Sequence, residues 1–184
     1  MWCDFNTQLF LFINASDKAS KLLIYFAIFC AKYLVYIPII IMGIGWFIRP
    51  FYRQLILKIV ISLAVALFVT FIIRHCFYYP RPFAVDVGTP YLFHENTSSL
   101  PSQHAVFVWT IFFTVLFNYT CHFRIVLYLF ALIAVLVSWS RVYLGIHWPL
   151  DIAVGFLVSI ISVYLIKKKF WTSINKLLNR WFCW

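Results

Sequence analysis

Stretches of about twenty residues with almost no charge recur along this chain, and they limit what it can become. The first runs from Leu22 to Phe47, interrupted by a single charge at Lys32. Others span about 54–73, 105–119, 125–144 and 150–166. A hydrocarbon core roughly 30 Å thick needs about 20 apolar residues in a helix, and lipid leaves no partner for unpaired backbone groups. The runs therefore predict an all-α polytopic membrane bundle of about five spans. The composition agrees: 65% of residues are hydrophobic and 11% charged, against roughly 45–50% and about 25% in soluble domains. The 184 residues are taken up by one such bundle, so a single domain over 1–184 is expected.

A formal charge of +10 invites a nucleic-acid reading. The basic residues, however, flank apolar runs instead of forming a soluble patch, so no nucleic-acid partner is expected and the bilayer is the natural environment. Arg49, Arg53, Lys58, Arg124, Lys167, Lys168, Lys169, Lys176 and Arg180 fall on one side of a five-span arrangement. Lys18, Lys21, Arg74, Arg81 and Arg141 fall on the other. The positive-inside bias then predicts a cytoplasmic C-terminus and an outward-facing 78–102 loop. The start M-W-C-D-F-N lacks a basic n-region, which predicts no cleavable signal peptide. N-T-Q-L-F-L-F-I-N-A before the first span resembles a short interfacial segment. After the last, Trp171, Ile174, Leu178 and Trp181 recur at helical spacing between basic residues, as in a helix lying on a membrane surface. Cys3, Cys30, Cys76, Cys121 and Cys183 show neither disulfide nor metal spacing.

Polar residues gather on the predicted outward side. In S-R-V-Y-L-G-I-H-W-P-L-D, residues 140–151, His147 and Asp151 are one helical turn apart. A carboxylate on one imidazole nitrogen leaves the other free as a nucleophile. Arg141 lies near the outer end of the preceding helix, where an anion would offset its burial. Arg81 stands between two prolines in P-R-P-F. Pro101, Ser102, Gln103 and His104 open the third span, and helix-start amides favour phosphate oxygens. Each feature alone has a plain reading as a cap or a snorkelling cation. Guanidiniums, helix-end amides and two histidines on one side describe a phosphoryl-transfer site. No acidic pair exists to hold magnesium and the histidines do not fit zinc, so catalysis without metal or cofactor is expected. His94 and Glu95 are candidates for head-group contact or gating, against the plainer reading as solvated loop residues. His75 and His122 read as bystanders.

Three segments together resemble the signature of the type 2 phosphatidic acid phosphatase superfamily: R-H-C-F-Y-Y-P-R-P at 74–82, P-S-Q-H at 101–104 and S-R-V-Y-L-G-I-H-W-P-L-D at 140–151. The third fits at every defined position. The whole chain resembles the bacterial undecaprenyl-pyrophosphate phosphatase branch, which acts on a polyprenyl pyrophosphate lipid at the plasma membrane. The resemblance implies His147 as nucleophile, Asp151 as its orienting group and His104 as acid and base. It further implies phosphate contacts from Arg81, Arg141, Ser102, Gln103, Arg74 and Ser140. Two positions depart from the pattern: the family's first lysine is Arg74 here, and its glycine is Gln103. Lys32 is a candidate stand-in for that lysine. Other lipid phosphates, a phosphotransferase acceptor, or a transporter with intramembrane charges are the competing readings.

Overall fold

The computed structural model describes residues 2–48, 50–118 and 124–181, without the side chains of 2, 3, 50, 51, 170 and 172–181. The apolar runs form helices, as backbone pairing in lipid requires. In chain order these are α1 (Trp2–Ile13), α2 (Lys21–Lys32), α3 (Tyr36–Ile48), α4 (Pro50–Cys76), α5 (Gln103–Phe117), α6 (Arg124–Tyr143) and α7 (Pro149–Trp181). A short 3-10 turn covers Pro82–Val85 between α4 and α5.

The expected five spans become fewer. Among the described residues three helices have the length and composition to cross a membrane, or four if a bent pair counts as one span. That pair is the predicted 22–47 span, which breaks into α2 and α3 with a 41° bend. The predicted 105–119 span is α5, whose 15 residues extend about 22 Å and fall short of a hydrocarbon core of about 30 Å. Its ends explain the shortness: Ser102 caps it, and at its far end the Asn118 amide bonds back to the Thr114 carbonyl at 2.7 Å. The tail predicted to lie on a surface instead continues α7 without a break as far as Trp181. The side chains of Ile174, Leu178 and Trp181, and His122 with Tyr119, lie outside the described residues.

Helix α5 packs against α4, α6 and α7 and so occupies the centre. Val108, Ile111 and Val115 meet Ile59 and Leu63 of α4 and Phe130, Ile133 and Val137 of α6. Phe29, Ile40, Phe68, Leu132 and Leu157 are exposed, whereas Ser62, Thr70, Thr110, Thr114 and Ser159 are buried. This inversion suits a lipid solvent, in which apolar surface is not driven inward and small or hydroxyl side chains let helices approach. Ser159 Oγ donates to the Val106 carbonyl at 3.0 Å, joining α7 to α5. Trp109 Nε1 donates to Ser138 Oγ at 3.0 Å, joining α5 to α6. Gly155 has no side chain where α7 crosses α5: a Cβ there would stand 3.2 Å from that of Ala105. The two helix N-termini can thus come together.

Loops and the N-terminal helix close the same end of the bundle. Helix α1 lies on the start of α7, and Asn6 Oδ1 accepts the Leu150 amide at 3.1 Å. Asn14 donates to the carbonyls of Thr89 and Tyr143 and accepts the Thr89 amide at 2.8 Å. The α6–α7 turn reverses at Gly145 with φ +78°, where a Cβ would sit 2.5 Å from the Thr89 carbonyl oxygen. Left-handed backbone costs a non-glycine residue about 1–2 kcal/mol before any clash. Gly145→Ala is expected to destabilise by at least about 2 kcal/mol, read as a lower melting temperature in detergent. Wild-type melting would contradict this account of the turn.

Candidate active site

The α6–α7 turn supplies the nucleophile candidate. His147 is buried and stands at the start of α7, with Asp151 one turn further on. His147 Nδ1 lies 3.1 Å from Asp151 Oδ2. The same oxygen accepts the Trp148 amide at 2.8 Å and the Ser99 hydroxyl. On the other side of the ring, Arg81 Nη1 stands 3.2 Å from Nε2. A guanidinium can only donate. Both contacts therefore require the same tautomer, with the proton on Nδ1 and a lone pair on Nε2.

Arg81 is 1% exposed. It donates through Nε to the Thr97 carbonyl at 3.0 Å and through Nη1 to the Ile146 carbonyl at 3.0 Å. The Trp148 indole donates to the Pro80 carbonyl at 2.8 Å, fixing the proline-flanked segment against α7. Arg74, in the last turn of α4, reaches the same place. It donates to the Pro101 carbonyl and to Thr97 Oγ1, each at 3.1 Å. Arg141 donates to the Ala31 carbonyl at 2.6 Å, while its Nε is buried without a partner among the described residues. The bend between α2 and α3 makes that contact available, because a carbonyl in the last turn of a helix has no intrahelical partner.

Ser102 caps α5 with its hydroxyl buried and unpartnered among the described residues. Its amide donates to the Asp151 carbonyl at 3.2 Å, bringing the starts of α5 and α7 together. Gln103 is exposed, and its amide belongs to the first turn of α5, whose donors have no intrahelical acceptor. His104, half-buried, lies within electrostatic reach of His147, Arg141, Arg81 and His94. His94 lies edge-on to His147 with ring centroids 6.3 Å apart, so it belongs to the site instead of being a solvated loop residue.

Three candidates stay out. Ser140 donates its hydroxyl to the Val137 carbonyl of its own helix at 2.8 Å, the usual recourse of a helical serine. Glu95 is exposed, and its carbonyl contacts the His94 ring at 3.1 Å. Lys32 is exposed one residue beyond the acceptor of Arg141 and makes no hydrogen bond to the site among the described residues. His75 is exposed and stacks on Phe71, a bystander as expected. Sequence reasoning missed Ser99 and Thr97. The hydroxyl run T-S-S directly before L-P-S was the available signal.

Arg74 and Arg81 thus lie within electrostatic reach of Asp151, and Arg141 within reach of Arg81. Their hydrogen bonds go to carbonyls, hydroxyls and the His147 ring. Burial lowers Arg81 to about 10, which leaves it charged at neutral pH. Burial pushes His147 down to about 4, against the opposing pull of Asp151. Burial also lowers His94. The result is a neutral imidazole facing a positively charged pocket with free buried donors. An oxyanion with several acceptor atoms satisfies that arrangement. A cavity of about 360 Å³ lined by Val35, Ile39, Leu67, Gln103, His104 and Phe107 adjoins it. A second, of about 250 Å³, lies farther down between α3 and α4, lined by Ile41, Met42, Tyr52, Ile59 and Val115 among others.

The His147 ring is expected to titrate near pH 4, not near the usual 6.5, in a histidine-labelled NMR titration. Between those values the unfolded chain binds the extra proton and the folded chain does not. This group's contribution therefore makes stability fall as pH drops through that window. Titration near 6.5 would overturn the buried-neutral assignment.

A sequence profile of the PAP2 superfamily matches residues 55–175. YbjG of Escherichia coli K12, named provisionally as an undecaprenyl-diphosphatase, is 38% identical over 159 residues, covering 85% of this chain and 78% of its own. An undecaprenyl-diphosphatase of Sulfolobus acidocaldarius is 32% identical over 169 residues, covering 88% and 78%. The crystal structure of Aquifex aeolicus LpxE is similar with a TM-score of 0.68 at 25% identity, covering 89% of this chain and 95% of that one.

Proposed function

The chain belongs to the PAP2 superfamily, and from that membership we propose that it hydrolyses undecaprenyl diphosphate to undecaprenyl phosphate and inorganic phosphate. The observation that carries this reading is the unprotonated Nε2 of His147 facing Arg81 in a pocket with excess positive charge. The relatives named for that lipid diphosphate supply the substrate. The apolar cavities reaching from His104 along α3 and α4 support a lipid tail.

His147 Nε2 attacks the terminal phosphorus, and the bond to the bridging oxygen breaks. Burial and the neighbouring cations lower His104 to about 3. Once the diphosphate offsets those cations the ring takes a proton and passes it to the departing lipid monophosphate, and a phosphohistidine remains. Water then attacks that phosphorus, giving its proton back to His104, and phosphate departs as His147 is regenerated. Arg81, Arg141, Arg74, Ser102 Oγ and the Gln103 amide hold the equatorial oxygens, where negative charge accumulates. Asp151 keeps the Nδ1 proton in place and stabilises the ring as it becomes cationic. No metal is needed to offset the phosphate charge.

Phosphate release from undecaprenyl diphosphate is expected to survive chelator and to fall by at least about 10³-fold in folded His147→Ala. Release unchanged by that substitution removes His147 as the nucleophile, and no release from wild type makes a transporter the better reading. His104→Ala separates the leaving groups. A phosphate leaving group has a second pKa near 6, so it departs with less help than an alkoxide. Single-turnover phosphoenzyme formation should therefore slow less on a lipid diphosphate than on a lipid monophosphate. Equal losses on both would remove His104 as the acid.

The site is proposed to face the periplasm or cell exterior, with the α7 tail cytoplasmic. Lys58 and Lys167 support this, meeting Asn118 and the Phe117 carbonyl at the end of α5 remote from the site. Exposed Cys76, at the site end of α4, is expected to react with a membrane-impermeant maleimide applied outside cells that carry it as sole cysteine. Labelling only after lysis would reverse the orientation.

A further inference from the structure

Three hydroxyl residues in a row, Thr97, Ser98 and Ser99, divide their work between the guanidiniums, the backbone and the His147–Asp151 pair. Thr97 Oγ1 accepts from Arg74 at 3.1 Å and from Arg81 at 3.3 Å. Ser98 Oγ donates to the Phe77 carbonyl at 3.1 Å and accepts the Tyr79 amide at 3.2 Å. Ser99 has its amide on the Tyr79 carbonyl at 2.8 Å. Its hydroxyl, in a residue with no exposed surface, lies 3.2 Å from His147 Nδ1 and bonds Asp151 Oδ2. The backbone tethers leave that hydroxyl little freedom to point elsewhere.

We infer that Ser99 is a positioning residue for the reaction, donating its proton to Asp151 Oδ2 and so holding the carboxylate against Nδ1 of His147. The other donors to that oxygen, Trp148 N–H and His147 itself, belong to the same turn as Asp151. Ser99 approaches from the loop, 52 residues away in sequence. It opposes rotation of the carboxylate, whose other oxygen, Oδ1, is buried without a partner among the described residues. It also draws charge from Oδ2, so the proton stays on Nδ1 when phosphorylation makes the ring cationic. Nε2 is thereby kept as the attacking nitrogen. Ser99 touches no reacting atom.

The inference rests on the phosphatase reading, so wild-type phosphoenzyme formation and phosphate release are measured first. If wild type lacks both, that reading fails and Ser99 has no reaction to serve. With active wild type, Ser99→Ala is expected to lower kcat by about 10–100-fold, the usual range for an outer-shell partner, with KM within about twofold. The acid limb of kcat/KM should move up by roughly one unit, because an Asp151 relieved of one donor holds a protonated imidazole more strongly. The other groups facing His147 are Arg141 on α6, His104 on α5, Arg74 on α4, and Arg81 and His94 in the loop. None gains or loses charge in the variant, so the shift reports Asp151. In an Asp151→Asn background, Ser99→Ala should cost no more than about twofold, since the two act as one unit. Wild-type kcat, an unmoved acid limb, or a full additional loss beside Asp151→Asn would overturn the inference. Should Ser99→Ala not fold, Ser99→Gly is expected to shift the limb and Ser99→Thr, which keeps the hydroxyl, to restore it. A wild-type limb in folded Ser99→Gly overturns it equally.

Discussion

One oxygen atom joins the parts of this site. Asp151 Oδ2 accepts the Trp148 amide and the imidazole of His147 from the turn just before α7, and the Ser99 hydroxyl from the loop. Removing a carboxylate from water costs several kcal/mol unless donors replace the water, and here three converge on one oxygen. The arrangement has a chemical consequence. With its proton held at Nδ1, the imidazole can present only Nε2 to the pocket, and Arg81 stands there to polarise whatever arrives.

The second constraint is positive charge without matching negative charge. Arg81 feels the charges of both Arg74 and Arg141, and in a poorly hydrated setting such repulsion is expensive. The chain contains it with backbone. Thr97, Pro101, Ile146 and Ala31 each offer a carbonyl to a guanidinium. Such carbonyls are free only where regular helix stops, at the loop, at the α6–α7 turn and at the bend between α2 and α3. Irregular backbone at membrane depth is tolerated where it lines a protein interior. The 41° bend thus supplies an acceptor for one of the site's arginines. Phosphate oxygens would complete what the carbonyls leave unfinished, above all at Arg141 Nε and Ser102 Oγ.

Much of this was legible in the linear chain, for a definite reason. Helical periodicity acts over one turn, so the meeting of His147 with Asp151 follows from their spacing alone. The helix-start position of Ser102 and Gln103 follows equally from the residues beside them. The apolar runs named the helices because a backbone in lipid has no other way to pair. Local rules failed where the answer lay with a distant partner. Ser140 is implied as a phosphate ligand by its place in the family motif, yet its hydroxyl bonds its own helix at Val137. Ser99 carried no helical spacing to His147, although it touches that ring. His94 reads as a loop residue until the loop folds back over the site.

Composition, apolar run length and motif spacing by themselves determined a helical membrane protein with a histidine–aspartate pair and several arginines on one side. Those properties depend on residue type and on contacts within a turn or two. Tertiary structure alone decided which nitrogen of His147 is free, which serine serves it, where the first span breaks, and why Arg141 can be buried there. The acceptor of Arg141 is 110 residues away and the hydroxyl on the His147 ring 48 residues away. A contact across such a distance exists only once the helices have packed, because no local backbone preference encodes it.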